Sequence, residues 1–161
     1  MPDISRPLDA AVPKPTRKPH PATEADRHVA TLTLIGEARG EPDEGKIAVA
    51  WVIRNRAEMD LGNDGKPDWW GDTIYDVCLK PWQFSCWNEG DPNRKVLDTT
   101  STSDPIYRAC RAIVDAVLAG EYPDPTHGAT HYCTLTLTPA WAKGRVPVAI
   151  IGRHKFFRDV G

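Results

Sequence analysis

Three groups of residues have the types and spacing to support chemistry. The first is Glu37, which closes a helical run of small and apolar residues (Leu32, Leu34, Ile35, Gly36) just before a turn at Gly40. A carboxyl set among apolar groups favours its neutral form, which is the form a general acid needs near neutral pH. The competing reading pairs Glu37 with Arg39, Arg54 or Arg56, and composition alone favours it, because such ion pairs are common. Glu41 is close enough to act as a second carboxylate. With Glu44, however, it fits the first turn of a following helix, where acids meet the positive end of the helix dipole.

The second group is Trp82-Gln83-Phe84-Ser85 with Trp87-Asn88. Flat aromatic faces alternate there with amides and a hydroxyl, the combination that binds sugars by stacking and hydrogen bonding. A half-buried strand shows the same alternation, so the pattern alone leaves both readings open. The third group, His127, His131, Cys133 and His154, offers the N and S donors that zinc takes. Its first two histidines lie on a turn and strand, where this spacing does not by itself converge four ligands. No metal site is expected, and nothing in the sequence demands a cofactor.

The elements that must position these groups can be read from caps and periodicity. Thr23 with Asp26 resembles a capping box, and Ala25, Val29, Leu32 and Gly36 follow at helical spacing, so a first helix is predicted to run to about Arg39. Pro42 fits the first turn of a second helix. That helix is apolar all round from Ile47 to Ile53, the mark of a central element, and turns polar at Arg54, Asn55 and Arg56. A long polar loop from Asp60 to Asp72 carries Trp69 and Trp70, and loops of this length are often functional. A short helix over Thr73 to Leu79 and a turn-rich stretch from Lys80 to Arg94 follow. Asp104 as cap and Pro105 at the first position open the cleanest helix, which stops at Gly120. Beyond it, Ala129 to Leu137 and Val146 to Ile151 read as short strands. The fold class is α+β and helix-dominated, with a small β-rich C-terminal part.

Length and composition set the outer bounds. The 161 residues are 40% hydrophobic and 26% charged, ordinary for one folded domain. A net charge of -2 argues against a nucleic-acid-coating protein. No apolar run approaches the roughly 20 residues of a membrane span. Residues 1–22 form a proline-rich tail with Lys14, Arg17 and Lys18 between its prolines, predicted to be extended and flexible; residues 23–161 form the globular domain. The N-terminus lacks the apolar core of a secretory signal, so the four cysteines, none in a CxxC pair, are expected to be reduced and structural. A monomer is expected.

Taken in order, Gly36-Glu37-Ala38-Arg39-Gly40-Glu41-Pro42, the helix Gly45-x-x-Ala48-Val49-Ala50 ending in Asn55-Arg56, and Gln83-Phe84-Ser85 resemble the SleB/CwlJ-type cell wall hydrolase family. So do Gly128-Ala129-Thr130-His131-Tyr132, Pro139-x-Trp141-Ala142 and Ile151-Gly152-x-His154-x-Phe156-Phe157. The resemblance covers about Ala30 to Phe157. It implies a lysozyme-like scaffold and a partner, bacterial peptidoglycan, cut between N-acetylmuramic acid and N-acetylglucosamine. It maps the family's catalytic glutamate onto Glu37, which reverses the composition-only preference for an ion pair.

Germination-type members look like lytic transglycosylases, which use one carboxylate rather than a pair. On that pattern Glu37 is the single acid and base. Gln83 and Ser85 are implied to hydrogen-bond substrate, with Phe84 supporting their loop. Tyr132, His131 and His154 are implied to orient the sugar or Glu37. The run of Gln-Phe-Ser into Cys86-Trp87-Asn88 and the long Trp69-Trp70 loop look more like the phage and prophage branch, including endolysins. Such an enzyme would wait in the host cytoplasm for release to the periplasm or cell wall, or travel with a virion. Three rivals stay open: a muramidase using water with a loop carboxylate as base, a zinc amidase or peptidase, and a non-catalytic wall-binding virion module.

Overall fold

The computed structural model describes residues 21–59 and 70–160. Most of the N-terminal tail and most of the loop with Trp69 therefore lie outside the described residues. The elements are α1 (Glu24–Ala38), α2 (Asp43–Glu58), α3 (Ile74–Leu79), α4 (Pro92–Thr99), α5 (Pro105–Leu118), β1 (His131–Thr134), β2 (Ala149–Ile151) and β3 (His154–Phe157). Single 3-10 turns lie at Ser85–Trp87 and Ala140–Ala142.

The predicted caps are present. The Thr23 hydroxyl accepts from the Asp26 amide while the Asp26 carboxylate accepts from the Thr23 amide. Asp104 caps α5 ahead of Pro105. α2 begins one residue later than predicted, with Pro42 as its cap and no side-chain cap bond. The all-apolar stretch of α2 is explained by its neighbours on both sides. Val49, Ala50 and Ile53 pack into the helical core, while Ala48 and Val52 pack against Ala129, Ile151 and Phe156 of the sheet side. Burying both faces of a helix makes it a central element, as its composition indicates.

Two elements differ from expectation. The stretch from Lys80 to Arg94 is neither a strand nor turns throughout: α4 starts at Pro92, capped by the Asp91 side chain. The C-terminal strands are shorter than predicted, and the sheet is antiparallel in the order β1-β3-β2, with Tyr132 opposite Phe156 and Ile151 opposite His154. Cys78, Cys86 and Cys110 are buried, Cys133 is partly buried, and all four are unpaired. No helix among the described residues is long and apolar enough to cross a membrane.

Candidate active site

Glu37 lies in the last turn of α1, half-buried, and three chain-distant segments meet at its carboxylate. The Cys86 amide faces Oε1 at 3.4 Å and the Tyr132 hydroxyl donates to Oε2 at 3.1 Å. None of the arginines proposed as ion-pair partners is one. Arg39 donates to the Ile35 carbonyl, Arg54 pairs with Glu58, and Arg56 donates to the Thr130 carbonyl.

The local folding that delivers these donors is specific. The 3-10 turn at Ser85–Trp87 is pinned to α1 by the Trp87 indole, which donates to Thr33 Oγ1 at 2.8 Å, and to α4 by Arg94, which donates to the Trp87 carbonyl at 2.7 Å. It sits so close to α1 that a Cβ on Gly36 would lie 2.5 Å from Cys86 Cβ. Tyr132 is delivered from the other side. Asn55 donates to the Ala129 carbonyl and Arg56 to that of Thr130, so the end of α2 holds the chain entering β1.

A groove of about 540 Å³ runs past this point, lined by Trp82 and Gln83 on one segment, His131, Tyr132 and Trp141 on another, and by Arg56 and Val160. Tyr132 therefore sets the Glu37 carboxylate one hydrogen bond from the groove. Trp82 is 81% exposed and holds a positive φ of 68°. An exposed tryptophan in left-handed backbone is costly in both respects, and such strain tends to collect at functional positions. His131 packs 5.0 Å from the Trp141 ring centre, and its Nδ1 is 3.0 Å from the Thr130 hydroxyl.

The other sequence-predicted residues take different places. Phe84 is buried in the helical core with the Arg56 guanidinium over its ring at 5.1 Å. Ser85 is exposed at the start of its 3-10 turn and His154 is buried behind the Tyr132 ring, 5.2 Å between centres. His127, His131, Cys133 and His154 do not gather: among the described residues no group of three or more His, Cys, Asp or Glu side chains is arranged to hold a metal.

Glu41 is neither a helix cap nor a groove residue. It is buried, accepts from the Arg153 amide at 3.3 Å and lies 3.2 Å from His154 Nδ1, in a geometry that leaves Nδ1 without a true hydrogen bond. It supports the β2–β3 turn, where Gly152 has φ +58° and a Cβ would meet Glu41 Oε2 at 2.7 Å. Sequence reasoning also missed the buried Arg56, whose only signal was its place in the Asn55-Arg56 motif.

Burial disfavours the charged form of both site histidines. Burial, with Arg56 and Arg145 nearby, pulls His131 down to about 4. Burial lowers His154 against the opposing pull of Glu41 and Glu37. A folded value below the unfolded one means that the stability His131 confers is complete above about pH 6.5 and is lost as pH falls toward 4; His154 acts in the same direction. Thermal unfolding of the wild type is expected to move to lower temperature between pH 7 and pH 4.5, and His131→Gln to flatten part of that slope. An identical slope in the variant would show that His131 plays no part.

The part of the chain that carries family membership includes Tyr132 and most of the groove lining and begins just after Glu37. The model of the cell wall hydrolase family matches residues 40–157. The chain belongs to that family. The spore cortex-lytic enzyme of Halalkalibacterium halodurans is 34% identical over 149 residues, 92% of this chain and 39% of that protein. The enzyme of the same name from Bacillus subtilis is 30% identical over 132 residues, 81% of this chain and 37% of that one. This cell wall hydrolase thus spans less than half the length of the curated relatives it matches. Among solved structures, the catalytic domain of the Bacillus cereus SleB protein superposes with a TM-score of 0.66 at 25% identity, covering 87% of this chain and 94% of that one. The catalytic domain of the germination-specific lytic transglycosylase SleB from Bacillus anthracis gives 0.64 at 25%, covering 88% and 100%. The helix-rich fold with its small C-terminal sheet is that of the SleB catalytic domain.

Proposed function

We propose that this cell wall hydrolase cleaves peptidoglycan glycan strands between N-acetylmuramic acid and N-acetylglucosamine as a lytic transglycosylase, with residues 23–161 as the catalytic unit. The reading is supported by Glu37, held by two donors beside the groove, and by the likeness to the lytic transglycosylase SleB of Bacillus anthracis. Hydrolysis with inversion or retention calls on a second carboxylate across the scissile bond. A transglycosylase needs one.

In the proposed reaction, protonated Glu37 gives its proton to the glycosidic oxygen as that bond breaks, and positive charge develops at the anomeric carbon of the muramic acid. The Glu37 carboxylate then takes the proton from the C6 hydroxyl of the same sugar, whose oxygen bonds to the anomeric carbon and closes a 1,6-anhydro ring. Glu37 ends protonated, as it began. Tyr132 fixes the carboxyl's orientation, the faces of Trp82 and Trp141 receive sugar rings, and Gln83 and His131 take hydroxyls or acetamido groups. Phe84 and His154 act behind the groove, by supporting Arg56 and the Tyr132 ring. Ser85 is left to an outer part of the strand.

Mass spectrometry of soluble fragments released from purified peptidoglycan tests the reaction. The expected products end in 1,6-anhydro-N-acetylmuramic acid; reducing N-acetylmuramic ends would make the enzyme a hydrolytic muramidase, and fragments cut only in the peptides would overturn the glycosidase reading. The continuation of Gln83-Phe84-Ser85 into Cys86-Trp87-Asn88 also supports a phage lysis enzyme. Cells expressing the chain are then expected to lyse only when their membrane is permeabilised; vigorous growth after permeabilisation would count against that role.

A further inference from the structure

Arg56 carries a charge that the proposed reaction does not use. Its residue is 4% exposed, its Nε donates to the Thr130 carbonyl at 2.7 Å, and its Nη1 is buried with no hydrogen-bond partner. Among the described residues no carboxylate lies within ion-pair distance of it, and the ion pairs of the neighbouring arginines go elsewhere. The rings of Phe84 and Trp70 hold its guanidinium in place at 5.1 and 5.7 Å. Burying a cation without a counter-charge is destabilising.

The place of this cation gives it a use. Arg56 lines the groove beside Gln83, His131 and Tyr132, where no described lining residue is acidic. Burial lowers its pKa to about 10, with Tyr132, Cys78 and Glu37 acting in the opposite sense, so it remains a cation near neutral pH. His131 next to it is neutral there. The groove therefore presents one preoriented positive group with unused donor capacity.

We propose that Arg56 is the anion-receiving residue of the groove and takes a carboxylate carried by the bound glycan. The inference rests on the reading above, that the groove holds a peptidoglycan strand. Each muramic acid bears a lactyl carboxyl, which is either free or joined to a stem peptide with carboxyls of its own. A guanidinium forms strong charge-assisted hydrogen bonds to a carboxylate, and with Nε held by Thr130 the terminal nitrogens are the ones left to make them. A glycan of N-acetylglucosamine alone offers no such group. Arg56 would thus separate muramic acid strands from chitin-like ones, because a site built around a buried polar group rejects a ligand that leaves it unpaired.

The test uses the full chain carrying Glu37→Gln, so that ligand is bound and not consumed, with and without Arg56→Met. Titration calorimetry compares three tetrasaccharides. One alternates N-acetylglucosamine and N-acetylmuramic acid with free lactyl carboxyls; the second bears alanyl-isoglutamine on those carboxyls; the third is chitotetraose. The expected result is at least ~10-fold tighter binding of a carboxylate-bearing probe than of chitotetraose, a preference that disappears with Arg56→Met. Tighter binding of the first assigns the lactyl carboxylate, and tighter binding of the second assigns the stem peptide. Equal binding of charged and neutral probes overturns the proposal, as does a preference that survives Arg56→Met. Should that variant fail to fold, Arg56→Gln, equally neutral and still able to donate to the Thr130 carbonyl, is read in the same way. Failure of all three probes to bind overturns the groove reading itself and the inference with it, whereas loss of the preference alone leaves that reading standing.

Discussion

Glu37→Gln is expected to lower the release of soluble glycan fragments by roughly 10²–10⁴-fold, the range a general acid contributes, while leaving the unfolding temperature nearly unchanged. The two effects separate because the substitution is isosteric. The amide oxygen can still face the Cys86 N–H, and the amide nitrogen can donate to the Tyr132 hydroxyl, which accepts as well as donates. No arginine loses a partner, since Arg39, Arg54 and Arg56 are engaged elsewhere. The amide has no proton to give to a leaving oxygen. The paired measurements are a turbidity or fragment-release assay on purified cell walls and a thermal melt. A variant that keeps substantial activity with an unchanged melt would remove Glu37 from the chemistry, and the search would move to another group on the groove.

The second large effect is expected at a residue without a side chain. Gly36→Ala places a methyl group 2.5 Å from Cys86 Cβ and 2.7 Å from its Sγ. Alanine is favoured over glycine inside a helix by ~1 kcal/mol, so the sign depends on whether the 3-10 turn can retreat. It is held by the Trp87 indole on Thr33, by Arg94 on the Trp87 carbonyl and by complete burial of Cys86. Overpacking a site that cannot yield costs about 1–3 kcal/mol, enough to outweigh the helical gain. A loss of several degrees in melting temperature is expected, with at least ~10-fold lower activity, since displacing the turn by even ~1 Å spoils the positioning on which such catalysis depends. Cys86→Gly in the same chain is expected to recover much of both. A single variant as stable as the wild type would mean that the turn moves freely, and its amide would lose its place as a fixed donor.

How far the sequence discloses this molecule follows from how local each signal is. α1 and α5 are legible because their caps lie within three residues of the helices they start, at Thr23-x-x-Asp26 and Asp104-Pro105. Asp91-Pro92 carries the same signature ahead of α4, but only Leu97 of that helix is buried, so no apolar stripe backs the cap. The position of β3 in the middle of the sheet is set by pairings such as the Thr130 amide with the Phe157 carbonyl. No spacing along the chain states those pairings. In the site, Glu37 stands out by its apolar approach and by the family resemblance. Its Tyr132 partner follows from that resemblance alone, and the Cys86 amide, being backbone, has no sequence signature. Arg56 was hidden for a statistical reason: arginine is almost never fully buried without a partner, so an arginine at the polar end of a helix reads as a surface residue.

The distance along the chain between Glu37 and its supports bears on when, during folding, the carboxylate is seated. Tyr132 joins Glu37 across 95 positions, and the strand that flanks Tyr132 on the sheet is β3. Contacts of this range form late, after the loop-closure entropy of the intervening chain has been overcome. Once α1 has formed Glu37 is in place, but its hydroxyl donor is seated only when β1 has paired with β3. The seating of Glu37 is therefore a property of the whole fold, and a change that loosens the β1–β3 pairing is expected to reach the carboxylate without touching α1.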